Sequence, residues 1–104
     1  MKLYGKKWEK LRAAVLMRDE YISQLSKRFG RYVQADVVHH ILPIESFPEY
    51  KYVSWNLISV TQKEHNELHD RTTHRLTDKG MELVIRLATK RGMDIEKIRR
   101  RLAE

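Results

Sequence analysis

The stretch from residue 35 to residue 71 most constrains the fold, because its pattern changes from strand to loop to strand to helix. Residues 35–41 are rich in β-branched side chains and predict a first strand, and the short apolar run at 57–60 predicts a second. Between them, Pro43 and Pro48 break regular structure. Thr61 followed three residues later by Glu64 is a capping-box signature, which predicts a helix to about residue 70 or 71. The sequence therefore predicts an α+β fold with a ββα core at about residues 35–71.

Helices are predicted on both sides of this core. Apolar residues recur at helical spacing over residues 6–17 and predict an amphipathic helix. Thr77 and Gly92 are the cap residues of a second predicted helix, and Asp94 opens a last one that ends near residue 102. Residues 21–32 fit no single pattern. With no repeat or linker in between, we expect one domain spanning residues 1–104.

The composition limits both the core and the compartment. A chain of 104 residues with 41% hydrophobic residues has a thin core, and without cysteine neither disulfides nor thiolate-bound metals can support it. No apolar run approaches the roughly 20 residues that span a bilayer, and the first seven residues lack the apolar core of a signal peptide. We therefore expect no membrane association and a cytoplasmic location.

The chain is strongly basic, with 21 Lys and Arg against 14 Asp and Glu and a formal charge of +7. Such a field favours polyanions such as nucleic acids. A merely solubilising surface explains the basicity equally well. Charge therefore narrows the class of partner without indicating an activity.

Four of the five histidines form two clusters, His39-His40 and His65-x-x-x-His69. Adjacent residues of a strand face opposite ways, whereas residues four apart on a helix share one face. One histidine of the pair can therefore join the helical two around a metal ion, and its neighbour stays free to accept a proton. A neutral imidazole suits both tasks, because it binds first-row cations and titrates near pH 6.5.

Other interpretations of these residues stay open at this stage. Helical histidine pairs arise by chance, and a zinc-protease helix is disfavoured because Asn66 and not a glutamate follows His65. Asn56, between the two clusters, can orient the ring of the base or hold the loop through its amide, or it is an ordinary turn residue before a strand. His74, beyond the predicted ligand helix, is interpreted as incidental.

Three segments together resemble the HNH endonuclease motif. They are residues 35–43 with the histidine pair, residues 55–60 with Asn56, and residues 65–71 with the second pair. The resemblance implies the ββα-metal, or His-Me finger, fold. It also implies that His39, His65 and His69 are ligands of one divalent ion (Mg, Mn, Ni or Zn), with His40 as general base and Asn56 as its positioning residue.

The chain departs from this family at four positions. Many HNH proteins carry two Cys-x-x-Cys pairs, and this chain has Ser23, Ser26, Thr61 and Glu64 there. The departure implies that no structural zinc binds, and Thr61 with Glu64 is expected to act as a helix cap. Apolar packing is expected instead from five residues: Trp8, Leu11, Tyr21, Leu25 and Phe29.

The function that the resemblance implies is metal-dependent hydrolysis of DNA phosphodiester bonds. The alternative is a non-catalytic DNA-binding or phage packaging accessory that keeps the fold, with packaging proteins as partners. Arg71, Lys63 and Arg31 are the candidate DNA contacts. Arg71 is equally well explained as a favourable charge at the end of the helix.

Overall fold

The computed structural model describes residues 5–104. In chain order the elements of this part are α1 (Lys6–Arg18), α2 (Gln24–Lys27), β1 (Val37–His40), β2 (Leu57–Val60), α3 (Gln62–Leu68), α4 (Asp78–Arg91) and α5 (Ile95–Ala103). The loop between the strands contains two 3-10 turns, Pro48–Tyr50 and Ser54–Asn56. The predicted α+β class and the strand, strand, helix order of the core are confirmed, although β1 is shorter than the predicted 35–41.

The two strands form an antiparallel pair, and α1 covers one of its faces. Val37 pairs with Val60 and His40 with Leu57, which fixes the register. Val15 and Leu16 of α1 pack with Val38 and Leu57 in one apolar cluster. Trp8 and Leu11 lie partly buried against the same cluster, so α1 holds the outer face of the strands as its apolar spacing predicted.

A second apolar cluster lies beneath α3, α4 and α5. It includes Leu42, which follows β1, together with Leu68, Val84 and Ile98 from the three helices. Burial of each large apolar side chain contributes roughly 1.5–3 kcal/mol. The helices cross closely at Gly80, where a Cβ atom would overlap the Leu68 carbonyl oxygen. This contact packs α4 tightly against the C-terminal end of α3, beside which the histidine site is built.

Helix caps lie where the sequence predicted them. Thr61 and Glu64 form the capping box of α3, Thr77 caps α4 through the Gly80 amide, and Asp94 caps α5. Gly92 ends α4 in the left-handed conformation, with φ 67° and ψ 31°. In residues 5–104, no helix combines the length and apolar character that crossing a membrane requires.

The four positions where many HNH proteins carry cysteines are joined here by hydrogen bonds. Ser23 Oγ donates to Glu64 Oε1 at 2.6 Å and Ser26 Oγ donates to Glu64 Oε2 at 2.7 Å. The Thr61 amide donates to Glu64 Oε1 at 2.8 Å. One carboxylate therefore ties the α2 segment to the start of α3.

The expectation of apolar packing at this end of the molecule was partly wrong. Leu25, like Trp8 and Leu11, is partly buried against the core. Tyr21 and Phe29, however, are 50% and 76% exposed. The hydrogen bonds of Glu64 to Ser23 and Ser26 hold the α2 segment. The rings of Tyr21 and Phe29 lie on the surface.

Candidate active site and metal centre

Three histidine rings from separate parts of the chain converge. His39 lies on β1 and is 1% exposed, His65 lies on α3, and His69 follows that helix. The ring centroids are 5.5 Å apart for His39 and His65, 5.2 Å for His39 and His69, and 5.8 Å for His65 and His69. One nitrogen of each ring lies within 4.8 Å of one from each of the others, so the three can hold a single metal ion.

The structure corrects how His69 reaches this cluster. The helix was predicted to run to residue 70 or 71, but α3 ends at Leu68 and His69 is extended, with φ −128° and ψ 144°. His69 forms a β-bridge with Leu76, and the Asp70 amide donates to the Arg75 carbonyl at 2.7 Å. A tight reversal of the chain therefore ends the helix. His69 reaches the cluster from an extended segment and does not share a helical face with His65.

His39 has the properties of a metal ligand. Both of its ring nitrogens are buried, and neither has a hydrogen-bond partner in the described part of the chain. An unpaired buried polar group costs about 1–3 kcal/mol, which a metal–nitrogen bond would offset. Burial, with smaller contributions from the neighbouring histidines, lowers the pKa of His39 well below its ordinary value. Its ring is therefore neutral at physiological pH, as ligation requires, and the site fits a divalent cation.

His40 is not part of this group of three: as alternation along the strand predicted, its ring lies against α1, at the edge of the same cavity. Its ring stacks on Trp8 of α1, with centroids 5.3 Å apart and planes 19° apart. Its Nε2 lies 2.9 Å from the Lys51 carbonyl oxygen. Because a carbonyl oxygen only accepts, Nε2 carries the hydrogen and the neutral ring keeps its lone pair on Nδ1.

The surroundings of His40 also favour its neutral form. Burial lowers the pKa of His40. The hydrogen bond to the Lys51 carbonyl raises this pKa, while the positive charge of Lys51 lowers it, and the net result is a decrease. The ring is therefore available to accept a proton near neutral pH.

Asn56 is completely buried and holds the loop between the strands. Its Oδ1 accepts from the Leu42 amide at 2.8 Å, and its Nδ2 donates to the carbonyl oxygens of Leu42 at 3.0 Å and Tyr50 at 3.3 Å. Of the two roles predicted for this amide, the contacts are those of a loop anchor. The anchor fixes Tyr50, and the next residue, Lys51, presents its carbonyl to His40.

His39, His40, His65 and His69 line a cavity of about 500 Å³, which also reaches Glu45, which the sequence did not indicate, and His74, which was interpreted as incidental. Glu45 and His74 lie at its wall, both contributed by loops whose course the local pattern does not predict. Arg31 instead lines a different cavity between α2, α3 and α4. Lys63 and Arg71 are exposed and line neither cavity. Their proposed DNA contacts stay predictions.

Comparison with known proteins gives one informative likeness. No family model matches the sequence, and no curated protein matches it. Among solved structures, the chain is similar to the HNH endonuclease of the deep-sea thermophilic bacteriophage GVE2, crystallised with a manganese ion. The identity is 32%, the TM-score is 0.58, and the likeness covers 60% of this chain and 67% of that one. This likeness does not support packaging proteins as partners.

Proposed function

Because this chain belongs to the HNH endonuclease family, we propose that it hydrolyses DNA phosphodiester bonds with the help of one divalent metal ion. The observation that carries the proposal is the division of labour between two adjacent histidines. His39 offers one of its two unpaired, buried nitrogens to a group completed by His65 and His69, while His40, outside that group, keeps a lone pair on Nδ1 and lines the same cavity. A ligand set and a separate base are what metal-assisted phosphodiester hydrolysis requires.

His40 acts as the general base. The Lys51 carbonyl fixes the hydrogen on Nε2, so Nδ1 accepts the proton of the attacking water. Trp8 limits the tilt of the ring by stacking on it, and Asn56 holds the loop that carries Lys51. Asn56 therefore acts on the base indirectly, through the backbone.

His39, His65 and His69 would hold the cation. Three neutral imidazoles would leave coordination positions open to water or a phosphate oxygen. The chemistry supplied by a bound divalent ion would be polarisation of the phosphate and stabilisation of the negative charge on the leaving oxygen. The donor set accommodates zinc, nickel or manganese, and the relative was crystallised with manganese.

Plasmid cleavage tests the proposal. Metal-free protein is incubated with supercoiled DNA and with magnesium, manganese, nickel or zinc in turn, and we expect nicked or linear product with at least one ion. His40→Ala should reduce the rate by about 10²–10⁴-fold. It should leave metal affinity, measured by calorimetry, unchanged. His65→Ala is the matched variant that should lose metal affinity as well as cleavage.

Two results would contradict the proposal. Intact supercoiled DNA under every ion, with binding confirmed by gel shift, would favour a DNA-binding accessory that keeps the fold. Undiminished cleavage by His40→Ala would remove that residue from the mechanism.

A further inference from the structure

Two lysines from distant parts of the chain meet over one tyrosine ring. Lys7 Nζ of α1 lies 4.3 Å from the centre of the Tyr52 ring, and Lys51 Nζ lies 5.0 Å from it. Both distances are within the range of cation–π attraction, so the ring face helps to gather the two ammonium groups. The two charges consequently lie within about 10 Å of each other.

This pair of charges adjoins the general base. The Lys51 carbonyl accepts the hydrogen bond from the His40 ring. Trp8, the residue that follows Lys7 on α1, stacks on the face of the same ring. The two chain segments that contact the His40 ring in these ways therefore each carry one of the two ammonium groups.

The two lysines, like most basic residues in 5–104, have no carboxylate partner, and what sets them apart is that one ring gathers both. In residues 5–104, Arg18, Lys79, Arg99 and Arg101 each form an ion pair with a carboxylate. Lys7 and Lys51 form no such pair in the same part of the chain, so no carboxylate there neutralises them. Two uncompensated cations beside the base are suited to an anion with more than one charge along its length.

We propose that Lys7 and Lys51, arranged by Tyr52, form a binding site for the DNA backbone, which seats phosphates next to the scissile bond. The inference rests on the proposed function, since it names the surface on which that substrate lies. In a duplex, successive phosphates of one strand rise by about 3.4 Å along the helix axis, so charges within about 10 Å can contact neighbouring phosphates of one strand. The site supplies position and affinity without reading the bases.

Binding of a labelled duplex in the presence of a chelator tests the site without any cleavage. The variant Lys7→Gln/Lys51→Gln is compared with Lys90→Gln/Lys97→Gln, which removes the same charge from exposed positions of α4 and α5. We expect Kd to rise by about 10-fold or more in the first variant. The slope of log Kd against log salt should fall by about 1.8, because each phosphate contact contributes about 0.9. The control should keep nearly the original slope.

Tyr52 provides a second, independent variant pair. Tyr52→Phe keeps the ring face and should bind as the unaltered chain does, whereas Tyr52→Ala should weaken binding toward the level of the double lysine variant. Equal losses in the two lysine double variants, or an unchanged salt slope, would overturn the proposal. Folding of each variant is checked by its thermal midpoint.

The outcome is separable from that of the proposed function. Lysine-dependent binding without cleavage under any metal would support this site and overturn the nuclease assignment. If the unaltered chain cleaves DNA and the Lys7/Lys51 variant keeps the same salt slope, the nuclease assignment is supported and the lysine site is overturned.

Discussion

Removal of the Glu64 carboxylate should be far more destabilising than its position near the surface suggests. Its two oxygens accept hydrogen bonds from Ser23, Ser26 and the Thr61 amide, at 2.6, 2.7 and 2.8 Å. A hydrogen bond to a charged group contributes about 1.5–3 kcal/mol, and we discount each to about 1 kcal/mol because the carboxylate is only partly buried. Ser23 is completely buried, so its hydroxyl would be left without an acceptor. The sum for Glu64→Ala is a loss of about 3–4 kcal/mol in the free energy of unfolding.

Urea unfolding followed by circular dichroism measures this loss. With a slope of about 2 kcal/mol per molar urea, the midpoint should fall by about 1.5–2 M. The matched control is Glu67→Ala on the same helix, whose carboxylate forms an exposed ion pair with Lys79. We expect only a small change there, because solvent screens such pairs. Similar midpoints for the two variants would refute the idea that Glu64 joins α2 to α3.

The dependence of stability on pH is a second test of the role of Glu64. Burial raises the pKa of Glu64, but the hydrogen bonds from Ser23, Thr61 and Ser26 outweigh it, and the net shift is below the ordinary value of 4.5. A carboxyl whose pKa is lowered by folding stabilises the fold above its ordinary pKa and loses that contribution as pH falls through the lowered value. The stability difference between the unaltered chain and Glu64→Gln should therefore be largest near neutral pH and should shrink below pH 4.5.

Three further predictions concern the base and its supports. Burial and the Lys51 charge lower the pKa of His40 below 6.5. At saturating metal, kcat/KM should therefore rise with pH through a midpoint under 6.5 and be level at about pH 7. A midpoint above 6.5 would contradict this prediction. Trp8→Ala should lower kcat by about 10-fold with KM for DNA nearly unchanged, and Trp8→Phe, which keeps a stacking ring, should restore most of the rate. Asn56→Ala should cost about 2–4 kcal/mol of stability in urea unfolding, since two buried hydrogen bonds and one partly buried hydrogen bond are lost. A loss below about 1 kcal/mol would show that the loop has other anchors.

Much of the fold follows from signals that act within a few residues. The capping box at Thr61 and Glu64 and the left-handed Gly92 set helix ends through hydrogen bonds that span three or four positions, so the sequence predicted them correctly. Alternation along a strand likewise assigned His39 and His40 to opposite faces from their adjacency alone. These features required no information about distant parts of the chain.

Features that depend on distant pairing were not predictable in the same way. The end of α3 is set by the bridge between His69 and Leu76, which competes with one more helical turn. Lys7 and Tyr52 meet across 45 positions, so the sequence showed many basic residues without showing which ones lie beside His40. Local charge density alone indicated Arg31 as a DNA contact; the structure places it at a separate cavity, and its DNA contact stays a prediction.

The loop between the strands connects these distant contacts to the chemistry. Asn56 anchors it from within, and Arg101 of α5 holds its outer side by donating to Glu49 at 2.6 and 2.8 Å and to the Ser46 carbonyl at 2.7 Å. Lys51 lies in this same loop, and its carbonyl accepts the hydrogen bond from the His40 ring. Because α5 holds the loop, it supports the base although it contributes no residue to the histidine cavity. From the other side, α1 contributes the ring that stacks on His40. The flanking helices therefore complete the site, and a chain reduced to its ββα core would keep the metal ligands while losing the supports that orient the base.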